Sequence, residues 1–212
     1  MLHCFSLTPV QIIFIVVASV VVLLILSLVL AIYFIKVHSK KNFKNYYYKK
    51  IYSIALNNDY YLINNFAFRV DTKNILVIDH LLFGNKFIYV IMDKCYEGDL
   101  MGNASDPDLV LIQKNGEKTY VENPFFSFGK LLSKFSTSTG ISTTLLIGIT
   151  LINNDSRMNI ETSSKQFFMI QRKRLPKLIK KIESRDVGLI NAEGLQEAVL
   201  TVNDLNRKDL IN

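Results

Sequence analysis

The chain has 212 residues with a formal charge of +7, half of them hydrophobic, and only two cysteines and three histidines. That cysteine and histidine content excludes a disulfide-built scaffold and a Cys/His zinc module. The positive balance is no argument for nucleic acid, because Lys36, Lys40, Lys41, Lys44, Lys49 and Lys50 are gathered directly after an apolar N-terminal run and the remainder is close to neutral.

Residues 1–35 contain no Asp, Glu, Lys or Arg, and Ser19 and Ser27 are the only polar side chains in residues 12–35. At about 1.5 Å of helical rise per residue, residues 12–35 extend roughly 36 Å, enough to cross a hydrocarbon core of about 30 Å. A cleaved signal peptide carries its basic residues ahead of a shorter apolar core; here the lysines follow the run. They predict a cytoplasmic domain and an outside N-terminus, in a single-pass plasma-membrane topology. The expected organisation is a short extracytoplasmic segment (1–9), a transmembrane helix (10–37), a basic juxtamembrane segment lying against anionic headgroups (38–51), a folded domain (52–172) and C-terminal helices packed on it (173–212). Cys4 and Cys95 would then lie on opposite sides of the bilayer and could not pair within the chain.

Residues 43–55 predict a helix leading into the fold, and 60–70 a strand broken at Asn64-Asn65. Residues 75–83 and 87–91 are strand candidates around Gly84-Asn85-Lys86, a hairpin signal. Residues 101–108 are rich in turn formers, and 109–113 with 118–121 make a second hairpin around Asn115-Gly116. Asn123-Pro124 opens a helix over 125–135, with Asn as cap and Pro at the first helical position. Residues 145–152 predict a buried strand and 166–171 another. Leu175, Leu178, Ile179 and Ile182 recur at helical spacing opposite Lys177, Lys180 and Lys181, an amphipathic helix whose basic face suits solvent, a membrane or nucleic acid. A last helix over 195–205 presents Leu195, Ala198, Val199 and Val202.

Chemistry concentrates in residues 75–94, ILVIDHLLFGNKFIYVIMDK. Asp79 sits within an apolar strand, where a carboxylate needs a cation or a donor. A two-residue loop sets Asp79 opposite Val90 and a four-residue loop opposite Met92. In either register strand alternation places Asp79, Met92 and Lys94 on one face, with Asp93 on the other. His80 points away from Asp79 and suits a structural donor role. No glycine-rich phosphate loop and no Gly-x-Ser-x-Gly elbow is present.

The Ile-Asp-His-Leu-Leu run at 78–82, the strand 88–91 leading to Lys94, the Gly98 that follows and Asn123-Pro124 before a helix resemble the NERD family, the nuclease-related domain of the restriction-endonuclease-like superfamily, over residues 51–154. The resemblance implies an α/β domain with a mixed central sheet flanked by helices, here preceded by one transmembrane helix. It also implies a metal-dependent phosphodiesterase site in which an Asp and a Glu-x-Lys serve a magnesium ion that activates water. Asp79 and Lys94 match the catalytic Asp and Lys. Met92 stands where the Glu is expected and Ser127 where a Gln is expected; the Gly-Glu pair of the first helix has no counterpart in 46–54. This is a divergent pattern. A thioether does not ligate magnesium, so Asp93 would have to join Asp79 as metal ligand through a bulge that re-aims it.

Three readings follow. A degenerate domain keeps the fold and a binding role without hydrolysis or metal; an active nuclease uses Asp79, Asp93 and Lys94 with magnesium; a tethered scaffold meets lipid or a protein partner. Nucleic acid is a partner in the first two, the lipid bilayer in all three. Richness in Asn, Lys, Ile and Tyr suits a bacterial source of low GC content.

Overall fold

A computed structural model describes residues 9–71, 74–161, 164–207 and 210. Cys4 and the expected extracytoplasmic residues 1–8 lie outside the described residues, as do the side chains of Lys36, Lys40 and Lys41. The chain forms two compact units, Met1–Phe43 and Lys44–Asn212.

The first unit is α1 (Pro9–Lys41). Its stretch Pro9–Phe34 is long and apolar enough to cross a membrane and none of it is buried within the protein. A signal helix meets the same length and composition. Its two hydroxyls are satisfied locally, Ser19 donating to Val16 C=O and Ser27 to Leu24 C=O, both at 2.8 Å. No polar demand is left on the helix surface at those positions.

The second unit is an α/β domain. It opens with α2 (Phe43–Asn58), then β1 (Tyr61–Arg69), β2 (Ile75–Phe83), β3 (Ile88–Asp93), β4 (Gly98–Asn103), β5 (Asp108–Gln113), β6 (Lys118–Glu122), α3 (Pro124–Thr139), β7 (Leu146–Ile152), β8 (Met158–Glu161), β9 (Phe167–Gln171), α4 (Leu175–Glu183) and α5 (Ala192–Leu205). The central sheet has the order β1-β2-β3-β7-β9 and is mixed: β1, β2 and β3 are antiparallel neighbours, whereas β7 runs parallel to β3 and β9 parallel to β7.

One face of this sheet, with Leu81, Phe83, Ile88 and Val90, forms the main core with Phe128, Leu132 and Phe135 of α3 and Val202 of α5. Gly148 in the fully buried strand β7 makes the α3 contact close, since a Cβ there would stand 2.6 Å from Phe128 Cδ1. Tyr89 and Ile91 alternate to the opposite face. There Tyr47 of α2 donates to Lys94 C=O at 3.1 Å, and Tyr89 donates to Glu183 of α4 at 2.6 Å. Burial raises the pKa of both phenols.

A second sheet of order β6-β5-β4-β8 was not expected, and two of its strands went unread. β4 is Gly-Asp-Leu-Met-Gly-Asn, with the composition of a loop. It pairs because Gly98 lets the backbone of β5 come close: a Cβ at Gly98 would lie 2.1 Å from Ile112 C=O. β8 has four residues, too few to show alternation. A small core of Tyr96, Leu100, Leu109 and Ile152 joins the two sheets; burial pushes the Tyr96 phenol up to about 12.

Asn123 caps α3 as expected, its Oδ1 accepting from Phe125 N–H at 3.0 Å, and it has a second task. Fully buried, it donates through Nδ2 to the carbonyls of Asn103 (3.0 Å), Ala104 (3.3 Å) and Asp106 (2.6 Å), tying the β4–β5 turn to the helix. Asn123→Ala is expected to destabilise the protein by about 2–4 kcal/mol, the sum of a lost cap and unsatisfied buried carbonyls. Asn123→Asp keeps the cap acceptor but turns a carboxylate on those carbonyls, and urea unfolding should find it impaired to a similar degree. An Asp variant as stable as the wild type would show that the turn contacts contribute nothing.

Candidate functional site

The site is made by a break in strand alternation. Along β1, Ile63 packs toward the main core and so do Phe66 and Phe68; along β2, Leu81 and Phe83 do, and so do Ile78 and Leu76. The change of parity falls at Asn64-Asn65 on β1, from odd to even, and at Asp79-His80 on β2, from even to odd. The register nevertheless continues across it, with Asn64 opposite His80 and Phe66 opposite Ile78. Asn65 adopts φ 52°, a left-handed conformation that asparagine tolerates better than most side chains. Two consecutive residues of β2 therefore turn to the same side, away from the main core.

This corrects the expected placement of the site residues. The hairpin takes the four-residue alternative, Phe83 pairing with Ile88 and His80 with Ile91. In that register Met92 lies across from Asp79 in sequence, yet Met92 packs on the main core while Asp79 has turned away from it. Lys94 is exposed, and the cation on Asp79 is Lys44 from the first turn of α2, with Nζ 3.0 Å from Oδ1. Asp93, expected on the far face, needs no bulge of its own: the kink in β2 brings Asp79 to it, and Asp79 Oδ2 accepts from Asp93 N–H at 2.9 Å. His80 joins them, with Nε2 2.9 Å from Asp93 Oδ2 and Nδ1 2.6 Å from Asn64 Oδ1. Ser127 bonds its own helix, donating to Pro124 C=O at 3.3 Å.

These groups open on a pocket of 480 Å³ lined by Lys44, Asn45, Tyr48, Asn64, Asn65, Asp79, His80 and Asp93. Lys44, Asn64 and Asn65 were not anticipated as site residues; the asparagine pair within a strand was the available signal. Asp79 and Asp93 are 8% and 6% exposed, so each carboxylate is nearly removed from water. Three of their four oxygens are engaged by Lys44, the Asp93 amide and His80, and Asp93 Oδ1 is buried without a hydrogen-bond partner among the described residues. Asn64 Oδ1 can only accept, so Nδ1 of His80 carries a proton. A further proton lies on the line between Nε2 and Asp93 Oδ2, on the ring or on the carboxyl.

A magnesium ion asks for near-octahedral oxygen coordination at about 2.0–2.1 Å. The residues present do not fit it while Lys44 and His80 hold the carboxylates. Among the described residues no group of three or more His, Cys, Asp or Glu is placed to hold a metal ion.

Burial raises the Asp93 carboxyl above its ordinary value near 3.8; hydrogen bonding and charge from His80 oppose the rise, and Asp79 adds to it. A raised acid favours the folded state below its ordinary value, and that contribution is lost as pH climbs through the folded value. The stability difference between wild type and Asp93→Asn should thus fall as pH rises from about 4 toward neutrality, by on the order of 1 kcal/mol per unit of upward shift. Thermal unfolding of both proteins across that range tests the expectation, and a difference independent of pH would refute it.

The profile of NERD, the nuclease-related domain, matches residues 41–135, a stretch that contains every residue lining the pocket. The match is consistent with the broader restriction-endonuclease-like superfamily. No characterised protein and no solved structure matches the chain significantly. What the chain resembles, over somewhat less than half its length, is a nuclease-related domain.

Proposed function

We propose that this protein is a single-pass, membrane-anchored nuclease-like domain, held on the cytoplasmic side, whose site binds rather than hydrolyses. The observation that carries the proposal is the occupation of the acid pair by basic side chains. Asp79 is paired with Lys44 and Asp93 with His80. Two carboxylates facing two basic groups have no need of a divalent ion to be tolerated in a buried place. The Glu of the family pattern is replaced by Met92, which belongs to the core, and Lys94 stands in solvent. The membrane part of the proposal rests on the 26-residue apolar stretch and on the lysines that follow it.

A second reading, an active nuclease on a rearranged site, draws on one observation. Asp79 and Asp93 do converge on a single pocket, and one oxygen of Asp93 has no partner among the described residues. In that reading Lys44 would have to withdraw for a cation to enter.

Both readings meet in one pair of measurements. Full-length protein incubated with single- and double-stranded DNA and with RNA, in magnesium or manganese, is expected to release no product beyond that of Asp79→Ala. Manganese titrated calorimetrically should give no heat with the wild type. Lys44→Ala, which frees Asp79 Oδ1, should gain weak binding in the millimolar range and lose about 1 kcal/mol of stability, the scale of a half-exposed ion pair. Cleavage that disappears with Asp79→Ala would overturn the binding-only proposal, as would wild-type affinity for manganese equal to that of Lys44→Ala.

A further inference from the structure

Residues 172–182 hold Arg172, Lys173, Arg174, Lys177, Lys180 and Lys181 and no acid. They form the short turn Arg172–Arg174 after β9 and the body of α4. Leu175, Ile179 and Ile182 are buried, which fixes the helix with its basic side outward; Lys173, Arg174, Lys177, Lys180 and Lys181 are all exposed. None of these cations makes an ion pair among the described residues, where the acid partners found belong to Lys44 and His80. Glu183, the first acid beyond the run, is committed to Tyr89 O–H and Lys86 N–H. Asp155 lies beside the turn, since its neighbour Asn154 accepts from Lys173 N–H at 3.0 Å, and offsets part of the charge.

The location of this patch decides what it meets. The Arg172 guanidinium lies 5.4 Å from the ring centre of Tyr46 and 5.6 Å from that of Tyr47, so the basic turn is pinned to the start of α2. That start is where the chain arrives from the apolar stretch ending at Phe34. Nine residues of chain separate that start from the end of the apolar stretch. α2 also exposes Tyr46, Tyr48 and Tyr52, and tyrosine with lysine is the composition of the headgroup layer.

We propose that the turn Arg172–Arg174 and the basic side of α4 form a docking surface for anionic phospholipid headgroups, with Lys173, Arg174 and Lys177 as its centre. The inference rests on α1 being a membrane span. An anionic leaflet attracts such residues within a Debye length, about 8 Å at physiological salt. The tether supplies the high local concentration that makes a weak surface contact count.

The test is lysine footprinting with an amine-reactive acetylating reagent, read by mass spectrometry on full-length protein in nanodiscs. Discs of phosphatidylcholine alone are compared with discs rich in phosphatidylglycerol. Lys173 and Lys177 should be protected about fivefold or more in the anionic discs, the factor expected for one basic residue at the surface. Lys114 and Lys118, exposed around the β5–β6 turn, serve as references and should not change. High salt should abolish the protection, and Arg174→Glu, which leaves every lysine in place, should reduce it. Equal reactivity in the two kinds of disc would overturn the inference while leaving the span intact. So would protection that appears only when an oligonucleotide is added, which would mark a nucleic-acid surface. A chain that failed to enter discs at all would overturn the span, and this inference with it.

Discussion

The paired distortion at Asn64-Asn65 and Asp79-His80 is the constraint from which the site follows. A regular β2 would keep Asp79 on the side of Leu81 and Phe83, inside the main hydrocarbon core, where an ionised carboxylate is untenable. The left-handed Asn65 bends β1, the bend is matched on β2 without loss of register, and Asp79 and His80 emerge together on the other side. Beyond the break, alternation resumes with Ile78 and Phe66 returning to the core. One local backbone choice thus converts a costly buried acid into the centre of a polar cluster and leaves the hydrophobic pattern on both sides of it intact.

Once Asp79 lies beside Asp93, electrostatics sets the next requirement. Two carboxylates in a dry setting repel, and the pair is stable only with positive charge or protons supplied. In a magnesium-dependent phosphodiesterase that charge is the metal. Here it comes from the chain itself: Lys44 reaches Asp79 Oδ1 from α2, and His80 bridges Asp93 to Asn64. The two solutions are not equivalent. A divalent ion brings open coordination positions and an acidified water; an ammonium and an imidazole bring hydrogen bonds and protons alone. Lys44 is also open to solvent where its partner is not, its side chain being 65% exposed against 12% for Asp79.

The strands and helices with strong periodicity or capping could be read from the sequence: the apolar N-terminal helix, the β2–β3 and β5–β6 hairpins, the Asn123-capped α3, the buried β7 and the amphipathic α4. What escaped was set by tertiary approach. β4 forms although its glycines and aspartate disfavour it, because its backbone fits closely against Ile112. The site was legible in part. Asp79 demanded a partner, and it has one, but a strict period of two handed it Lys94 and set Asp93 aside. The Asn64-Asn65 break was visible in β1; that the neighbouring strand would follow it could not be seen from β2 itself, whose residues Ile75 to Ile78 and Leu81 to Phe83 give no local sign of a kink. The counter-ion came from α2, at a sequence separation of 35 residues, beyond the reach of a pairwise strand argument.

The pocket and the basic turn also share an end of the domain. Lys44, Asn45 and Tyr48 line the pocket, while Tyr46 and Tyr47, interleaved with them on the same turns of α2, carry Arg172. A helix presents such neighbours on different sides, so α2 joins two surfaces by one rigid element: movement of its first turn changes the Lys44–Asp79 distance and the Arg172 stacking together. A shift of that turn reaches the Lys44–Asp79 pair directly, without a path through the core. The charge balance of the site is thus set from α2, at a separation of 35 residues, and not from the strand beside the acid that Lys44 serves.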